Sequence, residues 1–164
     1  MTKGMVKEME GGPAGQQAMG SAPMRQLREI LINHHRFVRE TVPLIQELLH
    51  LLTAHHVHGH PELACMGDKF SVLAEELYLQ IKKEEEGLLP LLERHQDERA
   101  HRHIRVNTAH EHAFLKGLLR DIRHLSQGYH CPASACKVYG LAYQRLRDFD
   151  AQLTSYLDTE GCFQ

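Results

Sequence analysis

The sequence predicts an all-α fold, an up-down-up-down antiparallel four-helix bundle that follows a flexible N-terminal tail. Three observations support this prediction. Four segments carry apolar residues at alternating spacings of three and four, which places those residues on one face of a helix. The connections between the segments are short, and no segment shows the two-residue alternation of a strand. The composition, with 42% hydrophobic and 24% charged residues, is that of an ordinary globular domain.

Residues 1–23 are rich in Gly and Met and have no periodicity, which predicts a flexible tail ahead of a bundle domain at residues 24–164. The tail lacks the apolar stretch of a secretion signal, and no run in the chain approaches the roughly 20 apolar residues of a membrane span. The 19 basic and 21 acidic residues leave a formal net charge of -2, so no basic surface is available for nucleic acid. We therefore expect a cytoplasmic protein that binds neither nucleic acid nor membrane.

The first two predicted helices meet at a His-rich turn that contains Gly59 and Pro61. The first helix begins after Pro23 and ends near residue 58, and Pro43 inside it is expected to kink it or loosen one turn. The second helix begins near Pro61. The predicted inner faces are Leu31, His35, Val38, Val42, Ile45, Leu49, Leu52 and His56 in the first helix, and Met66, Phe70, Leu73, Leu77, Gln80, Glu84, Leu88 and Leu91 in the second.

Two further helices complete the predicted bundle. The third runs from about Glu98 to Leu125, and the fourth follows the loop SQGYHCPAS (126–134) and reaches the C-terminus. The predicted inner faces are Val106, His110, Phe114, Leu118 and Ile122 in the third helix, and Ala142, Leu146, Phe149, Leu153, Tyr156 and Glu160 in the fourth.

Six polar residues on these apolar faces need a common explanation, because burying one polar group without a partner costs about 1–3 kcal/mol. Counted from the turns, the positions on the first three helices are level in antiparallel packing, and those on the fourth are displaced by about 9 Å. Carboxylates and imidazoles that meet inside a bundle can form a carboxylate-bridged two-metal site, and imidazoles suit iron. The six residues are His35, Gln80, Glu84, His110, Tyr156 and Glu160.

The alternative interpretation of these residues is structural. A single core His or Glu is usually a satisfied hydrogen-bonding residue. Glu84, within KKEEE (82–86), and Glu160 could form salt bridges at the partly open edges of the helix faces. The bundle would then be free of metal and would act through protein partners.

Four segments support a resemblance to a known family: INHHRFVRETVPLI (32–45), HPELA (60–64), LAEELYLQIKKEEEGLLPLL (73–92) and IRVNTAHEH (104–112). In these segments the chain resembles the hemerythrin-like, HHE cation-binding domain, and within that family the iron-binding domain of the repair-of-iron-centres proteins. The resemblance extends over about residues 25–162. It implies a non-haem di-iron site in which His residues and two bridging carboxylates hold the metal.

Carried over residue by residue, the resemblance implies metal ligands at four positions of this chain. The chain departs from the family pattern four residues before each bridging Glu, where Gln80 and Tyr156 replace a His. Tyr can bind ferric iron as a phenolate, whereas a Gln carbonyl is a weaker, neutral ligand. The site would therefore hold about one or two irons per chain, or none. The matching positions are His35, Glu84, His110 and Glu160.

Three hypotheses for function follow. The first is a cytoplasmic, stress-related binding protein, rather than an enzyme, that binds or senses iron, dioxygen, nitric oxide or peroxide. The second, implied by the resemblance, is an iron donor or repair factor for damaged iron-sulfur clusters, with iron-sulfur proteins as partners. The third is a metal-free bundle that acts by protein interaction.

The other histidines are expected outside this site, with His112 as a hydrogen-bond partner near His110 and His34 exposed or adjacent to the site. A second group of residues lies at the opposite end of the bundle, where a solvated surface and a second zinc or nickel site are both open interpretations. That group comprises His55, His56, His58, His60, His124, Tyr129, His130 and Cys131.

Overall fold

The computed structural model describes residues 21–163, except for the side chains of residues 105–108. Every regular element in this range is helical, and the range contains no strand, so the all-α prediction is confirmed. The elements, in order, are α1 (Ala22–His56), α2 (Glu62–Lys83), a π-helical turn (Glu84–Leu88), α3 (Leu89–Glu93), α4 (Asp97–Leu125) and α5 (Lys137–Gly161).

The first helix begins at Ala22, inside the predicted tail. Pro23 lies in its first turn, where a missing N–H is harmless because first-turn N–H groups have no acceptor within the helix. The backbone N–H of Ser21 donates a hydrogen bond to Asp97 Oδ2 at 2.8 Å, which ties the start of α1 to the start of α4. The rest of the predicted tail, residues 1–20, lies outside the described residues.

The predicted inner faces of the first, second and fourth helices are confirmed at nearly every position, although the predicted second helix consists of α2, the π-helical turn and α3. α1 continues through Pro43 as one helix of 35 residues, and its predicted apolar positions are all buried. Only His56 and Leu91, each the last residue of a predicted face, are half-buried rather than buried. The alternating spacing of three and four is reliable here because it keeps side chains on one side of the helix axis.

The π-helical turn Glu84–Leu88 was not predicted. The N–H of Leu89 donates to the carbonyl of Glu84, five residues earlier, instead of four. Pro90 supplies a physical reason, because it has no N–H and its ring clashes with the carbonyl of Glu86, where α-helical bonding would continue. Such turns often accompany functional sites, and Glu84 is the first residue of this one.

The predicted inner face of α4 was right at Leu118 and Ile122, which are buried, and wrong at His110 and Phe114. Consecutive steps of four residues turn the helix by about 400°, so the three steps from His110 to Ile122 move the face by about 120°. His110 is therefore exposed and Phe114 is 47% exposed, while the side chain of Val106 lies outside the described residues. The buried residues of α4 in the described range are Ala100, Ile104, His112, Leu115, Leu118, Leu119 and Ile122.

The four long helices contact one another in a closed set of pairs. α1 packs against α2 and α5, and α4 also packs against α2 and α5. Their buried faces enclose one apolar core, into which the polar residues discussed below project. Across the described residues, none of the helices combines the length and the apolar character needed to cross a membrane.

Candidate functional site

A layer of polar side chains lies within the apolar core. Five of the six predicted site residues belong to it, with exposed fractions between 0% and 7%. The sixth, His110, is exposed on α4, and His112 is buried on the same helix instead. The five predicted residues in the layer are His35, Gln80, Glu84, Tyr156 and Glu160.

Glu84 is the most connected residue of this layer. Its Oε2 is hydrogen-bonded to Nε2 of His35 on α1 at 2.6 Å. Its Oε1 accepts hydrogen bonds from Nε2 of Gln80 at 2.8 Å and from the hydroxyl of Tyr156 at 3.3 Å. The carboxylate therefore joins residues of α1, α2 and α5 at one depth in the core.

Glu160, the second carboxylate, is fully buried. Its Oε2 is hydrogen-bonded to Nε2 of His112 at 2.8 Å and lies 3.5 Å from Nε2 of Gln80. The amide of Gln80 thus contacts both carboxylates. Residue counting predicted that the polar positions of the fourth helix are displaced along the bundle. Glu160 nevertheless lies in the layer, in contact with His112 and Gln80.

The ring of His35 is held from its outer side as well. Its Nδ1 lies 3.4 Å from Oε1 of Glu85, which also forms an ion pair of 2.8 Å with Arg39. Both nitrogens of His35 therefore face carboxylates, Glu84 inside and Glu85 at the surface. A carboxylate on the outer nitrogen is the usual device that orients an imidazole ligand.

His34, which we expected to be exposed or adjacent to the site, also belongs to the layer. It is 6% exposed, and its ring stacks on that of Tyr156 with the centroids 3.4 Å apart and the planes 4° from parallel. Of the two neighbours His34 and His35, only His35 lies on the predicted inner face of the first helix. The periodicity therefore predicted burial for His35 and not for His34. The burial of both rings means that α1 presents two adjacent imidazoles to the core.

The electrostatics of the layer reflect its burial. Burial raises the pKa of Glu84, and the nearby carboxylate of Glu160 raises it further, while the hydrogen bond from His35 opposes both effects. Burial, together with Glu84 and Glu160, raises the pKa of Tyr156 well above its usual value. Burial, helped by His35 and His112, lowers the pKa of His34 to about 3. Without a cation, the layer disfavours charge on each of these groups.

Three buried atoms of the layer have no hydrogen-bond partner among the described residues: Nε2 of His34, Oε1 of Gln80 and Oε1 of Glu160. An unsatisfied buried polar atom costs about 1–3 kcal/mol. Amide oxygen, carboxylate oxygen and neutral imidazole all offer lone pairs, and a set of nitrogen and oxygen donors suits iron. The chemistry of these donors therefore fits a bound cation.

A cation could bind in the layer only if the side chains rearranged. In the described part of the chain, no three His, Cys, Asp or Glu side chains come together so as to hold a metal ion. The layer instead consists of two imidazole–carboxylate pairs, His35–Glu84 and His112–Glu160. A cation would have to replace these hydrogen bonds.

The His-rich turn forms a separate cluster at the other end of α1. Nε2 of His56 lies 3.2 Å from Sγ of Cys136, and Nδ1 of His60 lies 3.0 Å from Oε1 of Glu62. Both rings lie against the edge or face of Tyr139. These contacts are pairwise, and within the described residues no metal-binding group of three or more side chains forms here.

Comparison with curated proteins finds a weak similarity to a repair protein. The iron-sulfur cluster repair protein ScdA, from two strains of Staphylococcus epidermidis, is 23% identical to this chain over 131 residues. The matched region is 78% of this chain and 58% of ScdA, so the chain spans less than two thirds of the length of these relatives. No family model matches the chain.

The burial of His34 predicts a specific loss of stability in acid for the metal-free protein. The folded state keeps this ring neutral down to about pH 3, whereas the unfolded chain protonates it near pH 6.5. Because the unfolded state binds more protons between these values, the free energy of unfolding falls as the pH falls, by about 2 kcal/mol at pH 5. The variant His34→Phe keeps an aromatic ring against Tyr156 but lacks this contribution.

Urea denaturation of both chelator-treated proteins at pH 7.5 and pH 5 measures this difference. The two proteins differ only at residue 34, so the difference between their losses reports on His34. We expect the wild-type chain to lose about 2 kcal/mol more than His34→Phe between the two pH values. Equal losses would show that His34 is not held neutral by burial.

Proposed function

We propose that the chain is a non-haem iron-binding protein with a hemerythrin-like, up-down-up-down four-helix bundle at residues 24–164, and that it acts in the repair of iron-sulfur clusters. The principal support is the pair of buried carboxylates, Glu84 and Glu160, which share the amide of Gln80 and face one imidazole each. The closed set of helix contacts supports the bundle arrangement. The similarity to ScdA supports iron-sulfur repair as the role.

The ligands that we propose are His35, Glu84, His112 and Glu160, with His112 in place of the predicted His110. The two carboxylates would balance the charge of a cation, and the apolar core around them would exclude water. Tyr156 and Gln80 lie within hydrogen-bond distance of Glu84 and could complete the donor set. Bound iron would supply an exchangeable, redox-active cation.

The role of the iron has two versions within this proposal. In repair, the cation is cargo that passes to a damaged cluster, so iron-sulfur proteins are the partners and the cytoplasm is the expected location. In sensing, the cation is retained and binds dioxygen, nitric oxide or peroxide. The similarity to ScdA, an iron-sulfur cluster repair protein, favours repair over sensing.

A metal-free role is the second candidate, and a specific observation favours it. Each buried carboxylate already has an imidazole at 2.6 Å or 2.8 Å, so the layer is largely satisfied by hydrogen bonds. In that case the layer would fix the packing of the helices, and the protein would act through partner binding.

Iron content distinguishes these candidates. Anaerobic loading with iron(II) and removal of free metal should leave about one or two irons per chain, because the donors of the layer suit iron. We expect His112→Ala to lose at least about half of this iron, since His112 faces Glu160. Elemental analysis of the purified protein measures the iron content.

His110→Ala is the matched control for this experiment. It removes an exposed imidazole two residues away on the same helix and should keep the wild-type iron content. A wild-type protein that folds normally but retains no iron would favour the metal-free role. Loss of iron in His110→Ala but not in His112→Ala would mean that the inner face of α4 is misassigned.

Iron transfer distinguishes repair from sensing. Peroxide removes one iron and one electron from a four-iron cluster, so the assay contains dithionite as the reductant. The loaded protein should then restore the activity of an iron-sulfur enzyme that peroxide has inactivated, and its own iron content should fall in parallel. The control is an equal amount of iron supplied to the metal-free Glu84→Gln variant, which lacks one carboxylate of the layer. Iron that stays bound throughout, without restoration of the enzyme, would support sensing instead.

A further inference from the structure

We propose that His34 is a third imidazole ligand of the polar layer and binds the cation through Nε2. This inference rests on the proposed function, because it concerns the metal that the layer would hold. Neither the resemblance to the hemerythrin-like domain nor the pairing of His35 and His112 with carboxylates assigns a role to this residue.

The first observation is an unused ring nitrogen. His34 is 6% exposed, and its Nε2 finds no partner among the residues that the structure describes. Leaving a ring nitrogen unpaired in the core costs free energy that an apolar side chain of similar size would not. Stacking on Tyr156 alone does not explain the residue, since a phenyl ring stacks equally well. A cation bound to Nε2 explains why the ring is buried and why its nitrogen has no hydrogen-bond partner among the described residues.

The second observation is that the ring is held in place beside the carboxylates. It lies parallel to Tyr156, with 3.4 Å between the ring centroids, and the hydroxyl of Tyr156 bonds to Glu84. The ring centroid of His34 also lies 6.5 Å from that of His35, the imidazole that is hydrogen-bonded to Glu84. A ring already ordered by stacking loses little further conformational freedom when it binds a metal.

The third observation is the position of His34 beneath an open groove between α1 and α5. The groove has a volume of about 360 Å³, and His34 and Tyr156 line it together. The same stacked pair therefore borders both the groove and the buried layer. The remaining lining residues include Ile30, Asn33, Phe37 and Gln152.

The two unpartnered oxygens, Oε1 of Gln80 and Oε1 of Glu160, complete the argument. They and Nε2 of His34 are all buried lone-pair donors without a partner in the described part of the chain. The imidazole of His34, added to the His35–Glu84 and His112–Glu160 pairs, gives a donor set of three nitrogen ligands and two carboxylates. Iron binds both kinds of ligand.

Cobalt(II) alone is the probe for this inference, because its paramagnetism shifts the ring N–H protons of bound imidazoles far from all other signals. In proton NMR spectra of the full chain with cobalt(II), we expect one exchangeable, strongly shifted resonance from each of His34, His35 and His112. His34→Phe should lose one resonance and bind cobalt at least about tenfold more weakly. His50→Phe, an exposed site on the same helix, should change neither property.

The outcomes separate this inference from the function on which it rests. Cobalt binding with only two shifted resonances, unchanged in His34→Phe, would overturn the role of His34 and leave the metal site intact. Absence of cobalt and iron binding in the wild-type chain would overturn the proposed function itself. If His34→Phe does not fold, the number of shifted resonances in the wild-type spectrum still decides.

Discussion

The burial of two carboxylates at one depth in an apolar core is the constraint on which the rest of the structure depends. Glu160 is fully buried and Glu84 nearly so, and removing an ion from water costs several kcal/mol unless it is paired. The chain meets this cost with side chains from four helices: imidazoles from α1 and α4, an amide from α2 and a phenol from α5. The helices must therefore pack at a register that brings these groups together.

The segment around Glu84 shows how the backbone adapts to that constraint. The π-helical turn begins at Glu84 and adds a residue to one turn of the helix, which rotates the residues that follow it. Gly87 lies inside this turn, where a β-carbon would approach Cε1 of His103 to 2.6 Å, so the imidazole of His103 would have to move if a larger residue stood there. Outside the layer, Arg39 and Glu85 hold the other side of His35. The π-helical turn of the backbone and the surface ion pair of Arg39 and Glu85 thus both help to position the polar layer.

Much of this arrangement could be predicted from the sequence, for reasons that also explain the errors. The inner faces of α1, α2 and α5 follow alternating steps of three and four, which fix a helix face well. On α4 the predicted face used steps of four only and drifted, so it placed His110 inward, whereas His112 shares a face with Leu115 and Leu119. His34 was missed because it lies next to a stripe position, and such a neighbour becomes buried only where another helix, here α5 with Tyr156, covers it.

The most direct test of the central claim is the position of iron in a crystal of the loaded protein, measured by anomalous diffraction at the iron absorption edge. If the two buried carboxylates and their partners hold a cation, as we propose, the anomalous signal should lie in the polar layer in contact with Glu84 and Glu160. Iron found only at exposed histidines such as His55 or His58, with both imidazole–carboxylate pairs still hydrogen-bonded, would contradict it.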